Sequence, residues 1–426
     1  MNSPGEKKLA PRLILLLPKD SYRNDDFLAA ASKLGIDVIQ ARNQCHQLAD
    51  YWGLKPILAL PFDSPDRAAR MVQEELADSL PMAVVGVDDQ GIEVAAAINA
   101  ALGLSANSPD AVATLRDKYR FRQLQQQNGL PAPRVVAIPE AIDPYAMTLP
   151  FDFPCVVKPS RLSGSRGVLR VNTPGQFAQA VSRVSAILRS EKTGANSSIL
   201  VEQYLPGTEH ALEGLMVNGR LYTLALFDKP DPLEGPCFAE TIYVLPSSSP
   251  TKVQQEFLRQ VELACRQAGV LEGPVHAEAR FDGNRVTLLE VAPRSIGGLC
   301  GRTLRHALGM TLEELILRHA VGLPIDPAPA AAGASGVMML PVTSAGIFAG
   351  VEGLETAIAV PGIDSIEITA HKGERVLPLP EASTYLGFIF SNASSTEEVT
   401  AALRQSFSAL RINIKPLIET HTLATA

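Results

Sequence analysis

PVHAEARFDGNRVTLLEVAPR, residues Pro274–Arg294, places two strand-like runs on either side of Asp282-Gly283-Asn284. Side chains alternate between the two faces of a strand, and such a turn between alternating runs reads as a hairpin. On the first run Val275, Ala277, Ala279 and Phe281 share a face, leaving His276, Glu278 and Arg280 on the other. A three-residue loop pairs Phe281 with Arg285, which puts Leu289 and Val291 on the apolar face and Glu290 on the face of Glu278. A two-residue loop would separate the carboxylates. In this register Val286 and Leu288 also fall on the acidic face. Two carboxylates on adjacent strands suit magnesium, which takes one or two of them and fills its shell with water and phosphate oxygens. Taken alone, each reads more readily as a solvated charge, since exposed strand faces commonly carry Glu.

Upstream, Ser160-Arg161-Leu162-Ser163-Gly164-Ser165-Arg166-Gly167 follows an apolar run that ends in Lys158. Small residues let backbone N–H groups approach phosphate oxygens, and the lysine adds a point charge. No GKS or GKT follows, so this is not a Walker A loop, and a plain hairpin turn has the same composition. Next comes Ile199-Leu200-Val201-Glu202-Gln203-Tyr204-Leu205-Pro206-Gly207-Thr208-Glu209. Its strand runs into an extended segment that can offer an adenine edge backbone hydrogen bonds, while an acid takes ribose hydroxyls.

Around these motifs the chain is long enough, at 426 residues, for about three domains. It is 46% hydrophobic and 19% charged with a net charge of −7, so it is neither disordered nor globally basic, and no nucleic-acid partner is indicated. Leu13–Leu17 is too short for a membrane helix or the apolar region of a signal peptide, and reads as a buried first strand. The five cysteines, Cys45, Cys155, Cys237, Cys265 and Cys300, show no CxxC spacing. They read as idle thiols in a reducing cytoplasm. Strand signals at Leu13–Leu17, Ile36–Ile39, Pro56–Leu60 and Met82–Val87 alternate with helical ones at Asp25–Leu34, Ser64–Leu80 and Ile92–Leu102. That order predicts an open parallel sheet with its ligand end at Gly86-Val87-Asp88-Asp89. A charged helix containing Lys118 is expected over Asp110–Gly129. Pro324–Ala334 reads as a linker, followed by strands near Gly336–Pro341, Ser365–Thr369 and Tyr385–Phe390 and a helix over Thr396–Leu410. Trp52 reads as packing.

In this order and spacing the motifs resemble the ATP-grasp superfamily of carboxylate–amine ligases, from about Leu13 to Ile414. Asp228-Lys229-Pro230-Asp231-Pro232, Phe238–Tyr243 and Ser295-Ile296-Gly297-Gly298 resemble its L-amino-acid ligase branch, with the related carnosine-synthase-like enzymes. The resemblance implies α/β and α+β architecture: an N-terminal pre-ATP-grasp, Rossmann-like sheet (1–110), an ATP-grasp domain (111–325) and a C-terminal α+β domain (335–426). Within the ATP-grasp domain the lid would take about 150–205 and the central site about 206–325. ATP would lie between the subdomains, with Lys118 and Lys158 on its phosphates and Ser163, Gly164 and Ser165 in the lid. Glu202, Tyr204 and Leu205 would form the adenine hinge, and Glu209 would bind ribose. Glu278 and Glu290 would hold magnesium or manganese, and Arg294 would stabilise an acyl phosphate. Glu240 would lie near a substrate amino group, with Gly297 and Gly298 letting the backbone approach the substrate. The family's usual Asn-Pro-Arg reads Ala292-Pro293-Arg294 here, which removes one customary metal ligand.

The expected activity is ATP-dependent amide formation between amino acids. Its rivals are ligation of a non-standard acid or amine, and a nucleotide-binding regulator without turnover. A homodimer is a family-level expectation. His276 is either a base or a paired strand histidine.

Overall fold

Leu13–Leu17 is wholly buried. It forms β1 (Arg12–Leu16), which pairs in parallel on both edges within a sheet that also holds β2 (Asp37–Arg42), β3 (Leu58–Ala59) and β4 (Ala83–Gly86). The order is β3-β2-β1-β4. Leu13 and Leu15 pack with Phe27 and Ala30 of the helix Asn24–Lys33, whereas Ile14 and Leu16 meet Val72 and Ile98 of the helices Pro65–Glu75 and Ile92–Ala101. Covered on both faces, β1 needs no polar side, hence its unbroken apolar run. This computed structural model describes residues 10–19, 21–43, 57–76, 80–138, 147–191, 197–325 and 333–417; Cys45, Trp52 and most of the expected linker lie outside them.

The helix expected over Asp110–Gly129 is two helices, Pro109–Arg116 and Lys118–Gln127. Asp117 is the break: its backbone is extended, and its side chain accepts from the N–H groups of Tyr119 and Arg120 as an N-cap. Lys118 therefore opens a helix instead of lying inside one. A second sheet follows, of β5 (Val135–Ile138), β6 (Cys155–Pro159), β7 (Leu169–Val171) and β8 (Ile199–Gln203), antiparallel in the order β5-β8-β6-β7. The helix Pro174–Ser190 covers it with Phe177, Val181, Val184 and Leu188. The Ser160–Gly167 loop joins β6 to β7.

The largest sheet among the described residues begins with β9 (Thr208–Val217), β10 (Arg220–Asp228), β11 (Ile242–Leu245), β12 (Gly273–Phe281) and β13 (Val286–Ala292). The remaining strands are β14 (Ala334–Pro341), β15 (Gly346–Glu352), β16 (Ile363–Ile368), β17 (Arg375–Val376), β18 (Tyr385–Ala393) and β19 (Arg411–Lys415). The large sheet runs β13-β12-β9-β10-β11-β14-β18-β16, and β17-β15-β19 forms a small one. Because β11 pairs with β14 from Ile242↔Met338 to Leu245↔Ser335, strands from both sides of the expected boundary at 325–335 share one sheet.

The β12–β13 hairpin departs from the expected register. Phe281 pairs with Val286, not Arg285, across a four-residue loop in which Asp282 accepts from the N–H groups of Asn284 and Arg285. That loop alone would set Glu290 on the face opposite Glu278. A β-bulge between Glu278 and Ala279 on one side and Leu288 and Glu290 on the other adds a residue and restores the parity, so Glu278 lies directly across from Glu290. The four-residue loop itself moves Val286 and Leu288, opposite Phe281 and Ala279, off the acidic face into the core with Val275, Ala277 and Ala279.

Candidate active site

The residues singled out from sequence converge on one cavity of ≈ 370 Å³ where the three main sheets meet. Lys118, Lys158, Glu202, Tyr204, Leu205 and Ser163–Ser165 line one end; Glu209, Glu240, Glu278, Glu290, Arg294, Gly297 and Gly298 line the remainder. Asp88, Asp89 and Gln90 join them at the carboxyl end of β4, where the parallel sheet was expected to present ligands.

At the first end Lys158 is buried, with Nζ 2.6 Å from Glu202 Oε2, and Arg122 Nε reaches Glu202 Oε1 at 2.8 Å. Burial brings Lys158 down to about 8, with Glu202 opposing the shift. Glu202 itself stays low, because Arg122 and Lys158 outweigh the effect of its burial. Lys118 Nζ donates to the Leu162 carbonyl at 2.7 Å and lies 3.3 Å from Glu290 Oε2, linking lid to sheet. Gly164 and Ser165 both have left-handed backbone (φ +62° and +56°), which turns the lid loop sharply over this end. A Cβ at Gly164 would lie 2.9 Å from Ser383.

The middle is acidic. Glu278 and Glu290 face each other across adjacent strands, each partly open to the cavity, and offer the hard oxygen donors that magnesium takes. The residues present therefore fit that ion, while Ala292 is buried opposite His276 and supplies no donor. Another acidic group, Glu209, Glu240 and Glu278, also converges as a metal's ligands would, yet Lys229 Nζ sits 2.8, 2.6 and 2.7 Å from their oxygens. Burial raises Glu240, with Lys229 opposing and Glu278 adding. In Glu278 the effect of burial is outweighed by Lys229 and His276, which hold it well down. Glu240 is thus no exposed strand charge. His276 Nδ1 lies 3.2 Å from Glu213 and its Nε2 3.7 Å from Glu278. These acids overcome the effect of burial and push His276 up to about 9, which favours the charged, paired strand histidine over the base.

At the far end Arg294 Nε lies 2.8 Å from Asp89, and Glu213 accepts from the Ile296 N–H at 3.0 Å. The cluster continues inward through buried Arg23, which donates to the Ser295 hydroxyl and the Ile296 carbonyl and pairs with buried Glu313 at 2.7 Å. These contacts fix the Arg294–Gly298 segment. Gly298 has φ +58°, and a Cβ there would meet the Phe388 ring at 2.9 Å. Tyr22 and Tyr385 close this end, with the Tyr22 hydroxyl accepting from the Tyr385 N–H at 3.2 Å, while Ser383 lies against the lid loop at Gly164. Sequence reasoning assigned no role to Arg122, Lys229, Arg23, Glu213, Ser383 or Tyr385. Arg122 had a signal, since it lies one helical turn past Lys118; Tyr385 had none, being hundreds of residues from Tyr22.

Residues 151–303 match the ATP-grasp domain, and residues 338–415 match the L-amino acid ligase C-terminal domain 2. Carnosine synthase 1 of Gallus gallus is 28% identical over 62% of this chain, which spans 30% of that protein's length. Alanine–anticapsin ligase of Bacillus amyloliquefaciens is 22% identical over 72% of this chain and 68% of its own. The crystal structure of L-amino acid ligase from Bacillus licheniformis superposes with a TM-score of 0.81 at 24% identity, covering 95% of this chain and 99% of that one. The chain thus carries an ATP-grasp domain followed by an L-amino acid ligase C-terminal domain 2, in the fold of the L-amino acid ligase structure.

Proposed function

We propose that this enzyme joins two amino acids by an amide bond, with ATP spent on an acyl phosphate. The observation that carries the reading is the single cavity in which Lys118, Lys158 and Arg294 face the Glu278–Glu290 pair while Glu240 lines the wall beyond. A carboxylate is a poor electrophile because its leaving group would be an oxide. Attack of its oxygen on the γ-phosphorus of ATP releases ADP and leaves an acyl phosphate, whose phosphate departs readily. The second amino acid's nitrogen then attacks the acyl carbon, phosphate leaves, and the nitrogen gives up a proton. Magnesium held by Glu278 and Glu290 would supply charge neutralisation at the phosphate oxygens.

The chain's own residues provide the rest. Lys118 and Lys158 bring point charges to the phosphates, and Arg294, oriented by Asp89, meets the charge that develops on the transferred group. Tyr204 and Leu205 border the base, and Glu240 attracts a substrate ammonium. The loop around Gly164 keeps water from an intermediate that water would hydrolyse.

The test is phosphate release from ATP and magnesium across pairs of the twenty amino acids, with mass spectrometry of the products. Release that needs two amino acids and yields their dipeptide supports the reading. ATP binding without release from any pair counts against it and favours a non-standard acid or amine.

A further inference from the structure

Lys229 follows β10 directly and approaches the acidic cluster from behind. Its side chain is only 3% exposed and does not line the cavity, whereas Glu209, Glu240 and Glu278 all do. The three acids come from β9, the segment before β11, and β12, and each gives its Oε1 to the one ammonium. Three donors meet three acceptors, which satisfies the ammonium completely. Glu209 gives its other oxygen to Arg280 Nε at 3.0 Å, and the Tyr243 hydroxyl donates to Glu240 Oε1 at 2.7 Å. A ligand in the cavity therefore meets Oε2 of Glu240 and Oε2 of Glu278.

Without the ammonium, three carboxylates whose oxygens lie within 4.8 Å of one another would be a hard-cation site. With it, Lys229 and Arg280 offset two of the three negative charges, the His276 ring lies 3.7 Å from Glu278, and a divalent ion arriving there would also meet ammonium repulsion at close range. Glu278 is then left to work with Glu290 across the hairpin, and Glu240 is left to face a singly charged cation.

We infer that Lys229 is a positioning residue that closes the Glu209–Glu240–Glu278 cluster to divalent metal, dedicating Glu278 to the metal site with Glu290 and Glu240 to a substrate ammonium. The ammonium half rests on the proposed ligase activity; the metal half does not.

The experiment is Mn²⁺ titration of the nucleotide-free protein, read by electron paramagnetic resonance of the unbound ion. Lys229→Met should gain a Mn²⁺ site at least about tenfold tighter than any in the wild type, since an opposing charge is removed. Adding Glu240→Gln to that variant should abolish the gain, and adding Glu290→Gln should not. Equal Mn²⁺ affinity in wild type and folded Lys229→Met overturns the proposal. Should Lys229→Met fail to fold, the wild type alone decides: a nucleotide-independent Mn²⁺ site that Glu240→Gln removes overturns it, and none sensitive to Glu240 upholds it. For the ammonium half, Glu240→Gln should raise the KM of one amino acid about tenfold while ATP binding holds, as expected for a lost charge-assisted contact. An unchanged KM in an active ligase overturns that half. No ligase activity at all refutes the proposed function and leaves the metal result standing.

Discussion

Lys158 holds its charge in a buried position only because Glu202 lies 2.6 Å away, and burial still lowers it to about 8. In the free protein the Lys158 charge is half lost at about pH 8, fuller below it and fading above it. A bound triphosphate favours the charged form, so nucleotide binding should take up protons above about pH 8 and weaken as pH rises further. Calorimetry in buffers of different ionisation enthalpy reads this uptake directly. Lys158→Arg, whose charge persists, should flatten both trends. Glu290 makes a different prediction. Glu290→Gln should lower kcat at least ~100-fold, given the several kcal/mol a metal supplies to phosphoryl transfer. Metal-free nucleotide binding should persist, and full activity in this variant would sink the metal assignment. At this scale the sequence was informative wherever chemistry is local: a lysine closing a strand, paired glutamates, an arginine after proline. It was silent where a side chain acts through another, as Arg122 does on Glu202 or Glu213 on Ile296.

Among the elements, the β12–β13 hairpin teaches most. Alternation correctly put Glu278 and Glu290 on one face, but through a loop of the wrong length; the bulge at Leu289 supplies the parity. Its carbonyls are held by the neighbouring helix, since Arg122 Nη2 donates to Leu289 at 2.7 Å and Gln125 Nε2 to Leu288 at 3.2 Å. No periodicity argument detects a single added residue fixed by another element, which is why this register was not legible. The break at Asp117 was missed for a related reason: a good N-cap competes with helix continuation, and the winner here is settled by Lys118 N–H donating to the Ser160 carbonyl at 2.9 Å. The turn from β8 to β9 carries a firm prediction. Gly207 has φ +109°, and a Cβ there would lie 2.1 Å from the Phe281 carbonyl oxygen. Gly207→Ala should destabilise by roughly 2–4 kcal/mol, combining backbone strain with a clash against main chain. A urea midpoint within error of the wild type's would contradict that contact.

For the molecule as a whole, the lid loop is held from opposite sides. Arg161 pairs with Glu93 of the first sheet's helix at 2.6 Å. From the C-terminal part, the Pro380 carbonyl accepts from Gly167 N–H at 3.0 Å and the Glu381 carbonyl from Arg166 Nε at 2.8 Å, while the Glu381 carboxylate takes a two-pronged contact from Arg183, on the helix covering the lid's sheet, at 2.6 and 2.9 Å. Exposed pairs of this kind are worth at most about 1 kcal/mol, so Glu381→Ala should shift the lid modestly instead of freeing it. The expected result is a roughly two- to fivefold rise in phosphate released per amide formed, that being what ~0.5–1 kcal/mol of lid opening gives. An unchanged ratio would show that the clasp does not guard the intermediate. The parallel N-terminal sheet was readable because each strand and helix announces itself within ten residues or so. The continuation of the large sheet into β14 and β18, and the arrival of Ser383 and Tyr385 at the cavity, were not, because those pairings join segments far apart in the chain.

That continuation has a consequence for synthesis on the ribosome. β11 has β14 as its outer neighbour, and β14 in turn needs β18, whose last residue is Ala393. Until those segments leave the exit tunnel, the nascent part ending in β11 carries an open strand edge, the kind of surface that invites pairing with another chain. Assembly of the cavity is therefore a late event, completed only after Ala393 has emerged, and chaperone protection matters most in the interval before it.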